Sequence, residues 1–226
     1  MHKQKNAIID EFVNNMATCL VSTTHERLIK HSREYGWELH ALPGTNIESV
    51  VILKKSQDAF PEIWVRWCYT NYRRAFGIYL QQWHNLQNVR IPYQLQVDHL
   101  QPTHRFKNGD PNYFIRLCLL DRKTNSSYGA GFEKSFNKEE RNKPPIGGIH
   151  MDWMAFLKAY GILLPSKTSS PEEWKEWAYE TAALMEQENI EDRIQAFYGI
   201  LGVLQLGFTG YYSGSQNAGP WKIPAE

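Results

Sequence analysis

The chain opens with apolar residues at helical spacing. Ile8, Ile9, Phe12, Val13 and Met16 fall on one helical face, and a second run follows through Leu20, Leu28 and Ile29. This pattern predicts helix over residues 6–34, ended by Gly36. Trp37 to Leu42 then alternates, which predicts a strand. Pro43-Gly44 marks a turn, and Val50-Val51-Ile52-Leu53 predicts a second strand that could pair with the first as a hairpin. Residues 61–86 return to helical spacing, with Trp64, Trp67, Tyr72, Phe76, Tyr79, Leu80 and Trp83 on a predicted core face. Arg66, Arg73 and Arg74 lie between them. Arg73 and Arg74 have two readings, a solvated basic face or contacts to phosphate.

Farther along, Val97-Asp98-His99-Leu100-Gln101-Pro102 predicts a strand that ends at the proline. A loop follows, then an apolar strand over Phe114–Leu120. A helix is expected to open at Thr124 or Asn125, because both residue types cap helix starts. Residues 137–148 are charged and rich in Pro and Gly, so they predict a loop. Apolar residues resume over 149–164. Ser170-Pro171-Glu172-Glu173 predicts a helix start with a serine cap, a first-turn proline and two acids at the positive end of the dipole. That helix should reach about Gln187, and another should span Ile190–Leu206. The Gly/Ser/Pro-rich tail from Gly207 has two readings, a segment that wraps the body or one that frays.

These segments predict an α+β fold, predominantly helical, with a strand–strand–helix motif at its centre and an N-terminal hairpin. Residues 1–90 would form a helical and hairpin scaffold, 91–136 the central motif, and 149–226 a helical region. All three could form one compact domain.

The 42% hydrophobic content is enough for a sizeable core. A net charge of +1 excludes coating nucleic acid by bulk charge but leaves room for a local basic groove. Cys19, Cys68 and Cys118 form no CxxC pair, so free thiols and no structural zinc are expected. The start of the chain lacks the long apolar core of a signal peptide, and no run approaches a membrane span. These features predict a cytoplasmic protein without a membrane partner.

The order strand, loop, strand, helix, with Asp-His on the first strand and Asn at the helix, resembles the HNH (ββα-metal) endonuclease family. The matching residues are Asp98-His99-Leu100-Gln101-Pro102, Asn112 before the apolar strand, and Asn125-Ser126-Ser127-Tyr128-Gly129. They cover about residues 97–133. The resemblance implies phosphodiester hydrolysis in DNA, in a setting such as restriction, phage defence or mobile-element maintenance. It assigns His99 as the base, a role a neutral imidazole fills near pH 7. Asp98 and Asn125 would supply oxygen ligands to one Mg²⁺ or Mn²⁺. Asn112 would act within the catalytic site by bracing the loop or orienting His99. Arg73, Arg74, His104, Arg105, Lys107, Arg122 and Lys123 are the candidate contacts to nucleic acid.

This chain departs from the family pattern in three ways. It lacks the CxxC knuckles found in many members, Tyr128 replaces a frequently basic residue, and Gly129 and Gly131 weaken the helix. The alternative is a non-catalytic module that keeps the frame and binds nucleic acid or protein. RNA is a further candidate partner, and a homodimer would suit cutting both strands.

Overall fold

The computed structural model describes residues 2–14, 19–107, 109–130, 132–133, 147–166 and 168–209. The predicted 137–148 loop falls almost wholly outside these residues, as do Gly131 and the tail beyond 209. Helix and strand make up 48% and 19% of the structure. The fold is therefore mixed α/β, built on a curled antiparallel half-barrel, and the expectation of a predominantly helical protein is corrected.

The elements run α1 (His2–Asn14), β1 (Leu20–Thr24), α2 (His25–Tyr35), β2 (Glu38–Ala41), β3 (Val50–Lys54), β4 (Glu62–Arg66) and α3 (Tyr72–His84). Next come β5 (Leu95–His99), a 3-10 turn (Thr103–Phe106), β6 (Tyr113–Asp121), α4 (Arg122–Ala130) and β7 (Ile149–His150). The chain continues through α5 (Trp153–Tyr160), α6 (Pro171–Gln187) and α7 (Arg193–Thr209). The sheet order is β2-β3-β4-β6-β1-β7, with β5 also pairing β6. The nine-residue β6 organises the sheet. Residues 113–116 lie between β4 and β1, while 117–121 pair with β5.

Two predicted helical stretches contain central strands. Residues 6–34 break into α1, β1 and α2, and residues 61–86 into β4 and α3. The reason is burial on both faces, which erases the alternation expected of a half-exposed strand. In β3 and β4, Val50, Ile52, Ile63 and Val65 pack with Phe76 and Tyr79 of α3. Val51, Leu53 and Trp64 face the opposite way, toward Leu28 of α2. The predicted hairpin is present as the β2–β3 pair, but it forms the edge of the larger sheet.

α1 is fixed to the sheet by a buried ion cluster. Arg116 Nη1 of β6 lies 2.6 Å from Glu11 Oε2, and Lys55 Nζ lies 2.9 Å from Glu62 Oε1. Burial alone would raise the Glu11 carboxyl, but Arg116 and Lys55 outweigh it and hold the group down at about 2. The amide of Gln4 also pairs with β6. Its oxygen accepts from Leu119 N–H at 3.1 Å, and its nitrogen donates to Leu119 O at 3.3 Å.

The C-terminal helices share a core with α1 and α4 that includes Phe12, Tyr128, Phe156, Trp174 and Leu204. α6 starts as predicted. Ser170 Oγ accepts from Glu173 N–H, and the Glu173 carboxylate accepts from Ser170 N–H. Gly199 of α7 lies against the Trp153 indole of α5, so an added Cβ would collide with the ring. Cys19, Cys68 and Cys118 are free thiols. No helix among the described residues is long and apolar enough to cross a membrane.

Candidate functional site

β5 ends at Asp98 and His99, which stand opposite Cys118 and Leu117 of β6. The pairing continues one residue further, where Leu100 N–H donates to Arg116 O at 3.0 Å. Alternation along the strand sends the two side chains different ways. His99 is only 7% exposed, and its ring lies 4.6 Å from that of Tyr72 at the start of α3. Its Nε2 is buried and has no hydrogen-bond partner among the described residues. Burial pushes the imidazole pKa down to about 4; Asp98 opposes that shift and Lys158 adds to it. His99 is therefore neutral at pH 7.

Asp98 turns toward α5. Lys158 Nζ lies 2.8 Å from Asp98 Oδ2 and 2.7 Å from Glu133 Oε1, and it also donates to His99 O at 3.4 Å. Lys158 is 2% exposed. Burial alone would lower its pKa, but the two carboxylates outweigh that cost and hold it above its ordinary value. An ammonium thus already engages one oxygen of the carboxylate that the resemblance assigns to a divalent cation.

Asn125, the other assigned ligand, lies on α4. Its side chain is half-buried. No group of three or more His, Cys, Asp or Glu able to hold a metal occurs among the described residues.

α4 starts at Arg122, two to three residues before the predicted Thr124 or Asn125. Asp121 Oδ1 accepts from Lys123 N–H at 2.8 Å and from Thr124 N–H at 3.3 Å, so the aspartate serves as the cap. Asn112 lies at the start of β6, and its side-chain oxygen accepts from Arg66 Nη2 at 3.3 Å. Its backbone carbonyl accepts from His25 N–H at 3.0 Å. Five residues of strand, roughly 16 Å, separate it from the Leu117 that pairs with His99. Asn112 therefore braces the entry to β6 and does not orient His99.

The basic candidates divide into two groups. Arg73, Arg74 and Arg122 line one open groove of about 730 Å³, together with Arg90 and Tyr93. Its wall is the outer part of β5, Leu95 to Val97, immediately before Asp98. No carboxylate lines the groove among the described residues, and none pairs there with these four arginines. The Arg73 guanidinium lies 5.7 Å from the Tyr72 ring centroid, and that ring contacts His99. The groove is thus linked to the strand end through one aromatic residue.

His104, Arg105, Lys107 and Lys123 do not line this groove. Arg105 Nη1 donates to Gln101 Oε1 at 3.0 Å and borders a separate cavity of about 30 Å³ beside Lys158 and Tyr128. Lys107 and Lys123 are exposed, and His104 is half-buried.

Sequence reasoning missed Arg90, Tyr93, Lys158 and Glu133. A Tyr directly after Pro92 and close after Arg90 was the available signal for the first pair. Lys158 sits in the apolar run Met154–Tyr160, with nothing local to name its distant partners. No family model, curated protein or solved structure matches this chain.

Proposed function

We propose that this chain binds nucleic acid, DNA first, through the groove of Arg73, Arg74, Arg90 and Arg122, on a strand–strand–helix frame like that of HNH nucleases. The gathering of four exposed arginines without a lining carboxylate carries this reading. Arginine presents a planar fork that matches phosphate oxygens, and a row of unpaired arginines draws a polyanion through counterion release. A local groove achieves this on a chain of net charge +1. Binding without hydrolysis agrees best with the strand end, because Lys158 holds Asp98 and the His99 Nε2 is buried.

Phosphodiester hydrolysis of the HNH type is the second reading, and His99 favours it. Its ring is neutral at pH 7, its Nε2 is unpartnered, and it lies beyond the groove wall on the same strand. In this reading His99 accepts the proton of an attacking water, and the arginines hold the phosphate. Because Nε2 is buried, this reading requires the surroundings of the ring to open before a phosphate can approach.

Plasmid and single-stranded DNA incubated with wild type and His99→Ala, in Mg²⁺, Mn²⁺ or EDTA, separate the two readings. Gel retardation by both proteins without cutting is the result expected for binding alone. Cutting by wild type that disappears in His99→Ala would establish hydrolysis. Neither cutting nor retardation would overturn both readings.

A further inference from the structure

Tyr93 stands out within the groove. It follows Pro92 in the loop before β5, and 76% of its surface is exposed. A large aromatic ring left in water forgoes burial that would favour folding. The ring is nevertheless held in place, because the Arg122 guanidinium lies 4.0 Å from its centroid. Arg122 is itself anchored at the first position of α4, and its N–H donates to Gln94 O at 2.8 Å. The loop bearing Tyr93 is thereby tied to the helix bearing Arg122. One face of the ring carries a cation, and the ring's large exposure leaves stacking area open to solvent.

We infer that Tyr93 and Arg122 form a stacking platform for an unpaired base, which makes single-stranded nucleic acid the preferred occupant of the groove. This inference rests on the groove reading above. A duplex turns base edges outward and keeps base faces inside its stack, so an exposed ring offers it little. A single strand presents base faces, and every base has one, so the platform is tolerant of sequence. Arg73, Arg74 and Arg90 supply phosphate contacts within the same groove. The combination of a basic track and an aromatic platform is the usual device for holding single strands.

The test is fluorescence anisotropy with three labelled 20-mers: a single strand, the corresponding duplex, and an abasic single strand that keeps phosphates without bases. Wild type should bind the single strand most tightly. Tyr93→Ala should weaken that complex about tenfold, leave abasic binding unchanged, and be rescued by Tyr93→Trp. Because Tyr93 is exposed, circular dichroism should show the same fold in all three proteins.

Equal single-strand binding by wild type and Tyr93→Ala, with binding lost in Arg73→Glu, would overturn the platform and leave the groove reading intact. Tighter binding of duplex than of single strand would likewise overturn it. Failure of wild type to bind any of the three oligonucleotides would overturn both readings.

Discussion

Acid should destabilise this protein through His99 in a way that one substitution isolates. The buried ring titrates at about 4 in the folded chain, against 6.5 for an ordinary imidazole. The unfolded chain therefore takes up a proton first as pH falls. The contribution of neutral His99 is fully present above about pH 6.5 and is lost progressively as pH falls toward 4. A gap of this size corresponds to about 3 kcal/mol in full, of which about 2 kcal/mol is lost by pH 5. Half-buried His25, His31 and His84 shift in the same direction, while the raised carboxyl of buried Glu62 works the opposite way. They are common to wild type and His99→Gln, and the difference between the two proteins isolates His99. Urea unfolding of both at pH 8 and pH 5 should show wild type losing about 2 kcal/mol more than the variant. Equal losses would refute the claim that His99 is held neutral by burial.

Three further outcomes follow from packing and charge. Arg116→Met leaves Glu11 and Glu62 without their shared guanidinium and should cost about 3–5 kcal/mol in a denaturant titration. Gly199→Ala drives a methyl group into the Trp153 indole and should cost about 1–3 kcal/mol, read as a lower unfolding midpoint. Ser170→Ala removes one half of the capping box on α6 and should cost about 1 kcal/mol, measured in the same way.

The elements legible in the sequence are those whose signal is local. β2 and β3 flank a Pro-Gly turn, β5 ends shortly before Pro102, and α6 carries its own cap and first-turn acids. β1 and β4 were hidden because they lie inside the sheet with both faces covered. Trp64 then reads as part of a helical stripe with Trp67 and Tyr72. α4 starts earlier than a Thr124 or Asn125 cap predicts, because Asp121, the last residue of β6, caps the helix with its carboxylate.

The same division applies to the site. Asp98, His99 and the Arg73-Arg74 pair stand out by residue type and spacing. Their real neighbours come from far along the chain. Lys158 reaches Asp98 across sixty residues, from a helix whose pattern reads only as core. Its ammonium changes the reading of the motif more than any residue within it. Arg90 and Arg122 meet in one groove because β5 and β6 pair, which local spacing does not reveal.

The most direct test of the central claim is the salt dependence of binding to a labelled DNA single strand. Wild type should bind with an affinity that falls steeply as salt rises, and Arg90→Ala should reduce the logarithmic slope by about 0.7. Arg73→Glu combined with Arg90→Glu should abolish binding while circular dichroism stays unchanged. Binding unaffected by these charge reversals, or no binding by wild type at low salt, would contradict the assignment of the groove.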